Sequence, residues 1–205
     1  MKPGYWDKAK RELSRDDPVM RAIIRRYPRI HLVPRGDPFH TLARSIVGQQ
    51  ISVKAAQAVW NRVLDAMPEV TPDHALEAGA DKLLACGLSR RKVEYLADLA
   101  EHFAAGRILP ARWNAMGDEE VIAELVQIRG IGRWTAEMLL MFNLLRPDVL
   151  PVGDLGLQRA VSLGYRSGRD VSASGIRRIA RTWAPWRSVA TWYLWRSLDP
   201  LPVEY

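Results

Sequence analysis

The sequence predicts an all-α protein, and three observations carry that prediction. Apolar residues recur at three- and four-residue spacing along nearly the whole chain, and no stretch alternates with the two-residue period of a strand. Prolines break the pattern between stretches, as at Pro28–Pro38 and Pro68–Pro72, and glycines end several of them, as at Gly87 and Gly106. Capping residues (Asp37, Ser52, Ser89, Asp154) stand where several of those stretches begin.

Taken in order, Asp17–Tyr27 forms a short helix, and Pro28–Pro38 is a proline-punctuated linker. Asp37-Pro38 opens the helix FHTLARSIVGQQ, with Asp as cap and Pro in the first turn. Ser52 caps VKAAQAVWNRVLDAM, and Pro68–Pro72 breaks the chain. LEAGADKLLACGL gives short helices ending at Gly87. Ser89 starts RRKVEYLADLAEHFAAG, which stops at Gly106. Gly117-Asp118 caps EEVIAELVQI; the break G-I-G follows, then WTAEMLLMFNLL. Residues 146–153 form a Pro-containing loop before three final helices at 155–163, 172–183 and 187–198. The total is about ten helices.

Composition excludes several classes. Of 205 residues, 48% are hydrophobic, enough for a substantial core and too many for disorder. Thirty basic residues outweigh 23 acidic ones, for a net charge of +7, which favours a polyanionic partner. Most of the basic residues are arginine, which grips phosphate bidentately. The single cysteine, Cys86, excludes an internal disulfide, a four-cysteine iron–sulfur cluster and a cysteine-rich zinc site. Four histidines lie scattered without ligand spacing. The N-terminus is charged and lacks the apolar core of a signal peptide, and no apolar run reaches the ~18 residues of a membrane span. A water-soluble, cytoplasmic protein is expected, associated with the nucleoid if prokaryotic.

The stretch IRGIGRWTAEMLLMF holds the sharpest local signal. Helix, G-I-G, helix can aim the backbone N–H groups of Gly130, Gly132 and Thr135 at a phosphate, because a helix N-terminus leaves donors free and its dipole favours anions. Ile131 would anchor the turn in the core. A plain helix–turn–helix corner with glycine as cap fits the same spacing. A dinucleotide-binding reading fails, since no strand precedes the glycines and the third glycine is missing.

LVQIRGIGRWTAEMLLMF resembles the helix–hairpin–helix motif of the DNA glycosylase superfamily. VLPVGD resembles the Gly/Pro-rich loop that carries that superfamily's key aspartate, and SIVGQQISVKAA its DNA-inserting segment. WAPWRSVATWYLW resembles the C-terminal helix of the 3-methyladenine DNA glycosylase II branch. The resemblance runs from about Asp37 to Trp195.

That resemblance implies two helical lobes with a cleft between them, one of residues 1–36 plus 146–205 and one of 37–145, with the hairpin motif at 118–143. It implies a monomer that binds double-stranded DNA containing damaged bases, flips the base and excises it; no membrane is involved. Asp154 is implied as the catalytic carboxylate, stabilising an oxocarbenium-like sugar and orienting water. A cap for the following helix explains the same residue, and both roles are compatible. Trp134 stands where strand-cleaving relatives carry a lysine nucleophile, so base excision without lyase activity is expected. Trp134 and Trp195 resemble pocket-lining tryptophans, suited to a cationic alkylated purine. Core packing accounts for several of the other tryptophans. Met138 and Leu155 replace aromatic residues of some relatives at the pocket. Gln50, with Gln49 beside it, is implied as the wedge that fills the vacated stack; two polar residues at a helix end are the plainer account. The hairpin of this superfamily often holds a monovalent cation, Na+ or K+, on backbone carbonyls, here those of Val126, Ile128 and Ile131. No catalytic cofactor is expected. Seven arginines between Arg159 and Arg187 fit either a phosphate-facing surface or a solvated helix face. A same-fold glycosylase for deaminated or oxidised bases and a non-catalytic DNA binder are the alternatives.

Overall fold

The computed structural model describes residues 2–199. Every regular element among them is helical. The helices are α1 (Trp6–Asp16), α2 (Pro18–Arg26), α3 (Pro38–Gly48), α4 (Val53–Ala66), α5 (Pro72–Ala85), α6 (Arg90–Ala104), α7 (Asp118–Leu125), α8 (Arg133–Phe142), α9 (Leu155–Arg166), α10 (Ala173–Ile179) and α11 (Arg187–Leu198). Single 3-10 segments cover Pro110–Ala115 and Ala180–Trp183.

The chain divides into two compact units. One joins the residues up to Pro34 with those from Leu140 onward; the other is Arg35–Leu139. Residues 200–205, at the end of the expected first lobe, lie outside the described residues.

The first unit is built around α11. Residues Ser188–Leu194 of that helix are all buried, as expected of a helix enclosed on every side. α1, α2 and α9 pack against it. Trp6, Met20, Leu157, Val161 and Trp183 fill the space between them. Asp17 caps α2 by accepting from the N–H groups of Val19 and Met20 at 2.8 and 3.0 Å. Its other oxygen accepts from Tyr165 Oη–H at 2.6 Å and Trp183 Nε1–H at 3.0 Å. Four bonds make this buried carboxylate a knot between segments far apart in sequence.

In the second unit α3 packs on α4 and α6, and α5 packs on α4 and α6. The caps act as their residue types dictate: Asp37 accepts from His40 N–H, Ser52 from Ala55 N–H and Ser89 from Lys92 N–H. α5 kinks at Gly79, whose φ of 69° only glycine adopts cheaply.

Several element expectations are corrected. α3 ends at Gly48, so Gln49 and Gln50 lie outside it. α1 was not expected, yet Trp6, Ala9 and Leu13 bury one face of it. α8 ends at Phe142, so Asn143–Leu145 lie outside it, and Leu145 takes φ 53°. α9 runs to Arg166, three residues past the expected end.

Candidate functional site

Asp154 is the N-cap of α9. The loop before it folds on itself: Val152 N–H donates to Leu150 O, and Asp154 N–H to Pro151 O, both at 2.9 Å. Gln158, one turn into α9, donates from Nε2 to Val152 O at 3.0 Å and ties loop to helix. Two donors meet on one carboxylate oxygen, Asp154 Oδ1: Leu157 N–H at 2.6 Å and Trp195 Nε1–H at 2.8 Å. Two bonds from different helices fix the plane of the carboxylate. Trp195 is itself held by stacking on Phe142, with centroids 6.1 Å apart and planes 8° from parallel.

α11 controls this loop from both ends. At its start, Arg187 grips Asp148 through Nε and Nη2, each at 2.6 Å. Ser188 Oγ–H donates to Arg146 O at 2.6 Å, while Ser188 Oγ accepts from Val149 N–H at 2.9 Å. At its end, Trp195 reaches Asp154. Asp148, the other acid of the loop, is thus committed to an ion pair.

Sequence reasoning missed Gly156. A Cβ there would lie 3.1 Å from Asp154 Oδ1 and 3.2 Å from two Trp195 ring atoms. Only glycine lets that indole approach the carboxylate without displacement. The signal was present as the glycine of D-L-G, two residues past the aspartate.

Around the hairpin, the turn between α7 and α8 runs from Val126 to Gly132. Ile128 and Ile131 are buried, and Ile131 N–H donates to Ile128 O at 3.1 Å. Ile131 thereby anchors the turn, as its side chain suggests. Gly130 takes φ 83° and lies flat on Tyr95; a Cβ would meet that ring at 2.3 Å. Gly132 O accepts from Ala136 N–H, which places Gly132 at the cap just before α8. A Cβ on Gly132 would meet open space, so its backbone is approachable from outside. Thr135 is buried in the first turn of α8. Trp134, on the same turn, is 36% exposed. Met138 is half-buried one turn later. In the other unit Leu155 is 79% exposed beside Asp154.

The two candidate wedge residues differ sharply. Gln50 is exposed and holds φ 58°, a left-handed conformation that costs a non-glycine residue about 1–2 kcal/mol. Its neighbours Ile51 and Val53 are exposed too. Gln49 is half-buried, and its Nε2–H donates to Gly130 O at 2.8 Å.

Six arginines of the C-terminal cluster (159, 166, 169, 177, 178 and 181) are exposed. Trp60, Trp113, Trp183 and Trp192 are buried core residues. No group of His, Cys, Asp and Glu side chains suited to a metal ion occurs among the described residues. No helix among them is long and apolar enough to cross a membrane.

The family model described as HhH-GPD superfamily base excision DNA repair protein matches residues 43–185. DNA-3-methyladenine glycosylase 1 of Schizosaccharomyces pombe is 35% identical over 166 residues, covering 78% of this chain and 72% of that protein. The crystal structure of a DNA-3-methyladenine glycosidase from Bacillus halodurans superposes with a TM-score of 0.83 at 34% identity, over 92% of this chain and 87% of that one. The Schizosaccharomyces pombe 3-methyladenine DNA glycosylase Mag1, solved in complex with abasic DNA, gives a TM-score of 0.82 at 31% identity over 97% and 99%. The chain belongs to the HhH-GPD superfamily of base excision DNA repair proteins.

Proposed function

We propose that this protein is a DNA glycosylase that excises alkylated purines, of the 3-methyladenine and 7-methylguanine type, from duplex DNA and leaves an abasic site. The observation that carries the reading is the Asp154 carboxylate, clamped by Leu157 N–H and the Trp195 indole at the head of α9. Breaking an N-glycosidic bond builds positive charge on the sugar. A fixed carboxylate stabilises that charge without reorganising during the reaction, and it can orient the attacking water. An alkylated purine already carries positive charge and leaves without strong protonation, so one acid suffices. The relatives named as 3-methyladenine glycosylases support this substrate class.

The remaining roles follow. Trp195 and Trp134 would offer π-faces to the cationic base, each worth about 0.5–2 kcal/mol, with Met138 and Leu155 as apolar neighbours. The backbone N–H groups of Gly130, Gly132 and Thr135 would grip a phosphate. Carbonyls of Val126, Ile128 and Ile131 would suit Na+ or K+, an oxygen-only donor set for a hard cation that would add positive charge facing the DNA. Gln50 would fill the vacated stack. With Trp134 in place of a lysine, no Schiff base forms on the sugar and strand cleavage is absent.

The test is base release from methylated duplex DNA by wild type and Asp154→Asn, with products separated by chromatography. Release of methylated purine by wild type alone, with strand breaks only after alkali, is expected. Absence of release from wild type would sink the alkylated-purine assignment.

A further inference from the structure

We propose that Gln49 is a positioning residue: its bond to the Gly130 carbonyl locks the Gln50 turn to the hairpin, so that a DNA backbone seated on the hairpin meets a wedge already in register. The proposal rests on the base-excision reading above. Its warrant is the geometry of the second unit. Gln49 and Gln50 are adjacent yet turn their side chains to different tasks, one half-buried against the hairpin and one exposed. The acceptor, Gly130 O, belongs to a peptide that cannot shift easily. Its φ of 83° sets the turn, and the Tyr95 ring backs it.

α6 splints the same two segments from below. Lys92 Nζ donates to Val47 O at the end of α3 at 2.7 Å, Tyr95 supports Gly130, and Asp98 Oδ2 accepts from Arg129 N–H at 2.8 Å. These three residues repeat at three-residue spacing, so one face of one helix reaches both the end of α3 and the hairpin. Gln49 is the direct link that closes this frame. The left-handed Gln50 turn begins one residue later, just past the end of α3. A wedge must enter the duplex at a set distance from the gripped phosphate. A misplacement of about 1 Å can cost up to a hundredfold in rate when geometry is the catalyst.

The test compares wild type with Gln49→Ala and with the near-isosteric, uncharged Gln49→Met, which lacks the N–H donor. Three readouts are taken on the full chain: affinity for undamaged duplex, single-turnover release of base from methylated duplex, and fluorescence of a 2-aminopurine placed beside a stable abasic analogue, which rises when the stack is opened. Both variants should bind undamaged duplex within about twofold of wild type, since the phosphate grip is untouched. Both should release base about tenfold more slowly, with a reduced fluorescence rise. Wild-type release and fluorescence in Gln49→Met would overturn the proposal. So would a parallel loss of undamaged-duplex binding, which would make Gln49 a support of the hairpin alone. A wild type that releases no base would sink the base-excision reading instead, while the fluorescence comparison would still decide the tether.

Discussion

Trp195 Nε1–H donates to Asp154 Oδ1 across 2.8 Å, joining the last turn of α11 to the cap of α9. Trp195→Phe removes this donor and keeps a ring to stack on Phe142. A hydrogen bond to a charged acceptor contributes about 1.5–3 kcal/mol, so single-turnover base release should slow at least about tenfold. The melting temperature should fall by only a few degrees, since the same bond contributes to stability. Release at the wild-type rate would show that the indole does not orient the carboxylate.

Gly156→Ala attacks the same contact by crowding. The added methyl would sit 3.1 Å from Asp154 Oδ1 and 3.2 Å from the Trp195 ring, and one of them must give way. Base release should fall as far as in Trp195→Phe, because alanine otherwise suits a helix better than glycine. Combining the two substitutions should cost little more than either alone, as expected of residues acting through one contact. Additive losses would separate them.

Asp17 predicts a stability effect rather than a catalytic one. Asp17→Ala strands the half-buried Tyr165 hydroxyl and the buried Trp183 indole donor and uncaps α2. Burial first, then the bond to Asp17, keeps the Tyr165 hydroxyl far above the ordinary tyrosine range, so it stays a donor at every working pH. Each unsatisfied buried group costs about 1–3 kcal/mol. A fall in melting temperature of about 10 °C follows for a chain of this size. A fall of only a degree or two would mean that water replaces the carboxylate.

What the sequence made legible was local. Ser52, Ser89 and Asp37 announced helix starts because a cap acts within three residues of itself. G-I-G and the V-G-D loop were readable for the same reason, and by resemblance. What it hid was long-range. Nothing near Asp17 in sequence points to Tyr165 or Trp183, 148 and 166 residues away. Gln49 and Gly130 are 81 residues apart, so the pair Gln49-Gln50 reads as two equal candidates until the fold divides them. α1 was masked by its charges, although Trp6, Ala9 and Leu13 carry helical spacing.

Asp98 predicts a pH dependence. Burial raises its pKa, but the Arg129 N–H and guanidinium and the nearby His102 outweigh that and hold it below the ordinary carboxylate range. A carboxyl whose folded pKa lies below its unfolded one stabilises the fold above the unfolded value, and that contribution disappears as pH falls through the folded one. Asp98→Asn should therefore cost about 1–2 kcal/mol at pH 7. The gap from wild type should narrow below about pH 4, in thermal melts taken across that range. A gap that stays constant from neutral to acid pH would assign the effect to packing.

Arg133 opens α8 next to the proposed phosphate grip, yet it is already engaged. Its two terminal nitrogens bond Glu119, one of them at 2.9 Å, and its Nε bonds Glu137 at 3.0 Å. Glu119 is 74% exposed, so the pair adds little to stability. Its expected effect is on DNA binding: beside the proposed phosphate grip, a carboxylate would repel phosphate and occupy the guanidinium that would attract it. Glu119→Gln should tighten binding to undamaged duplex at low salt with almost no change in melting temperature. If the released arginine takes one phosphate, the slope of log affinity against log salt should steepen by about 0.9. The check is fluorescence anisotropy across about 50–200 mM salt. An unchanged slope would mean that Arg133 stays with Glu137 and gains no phosphate contact.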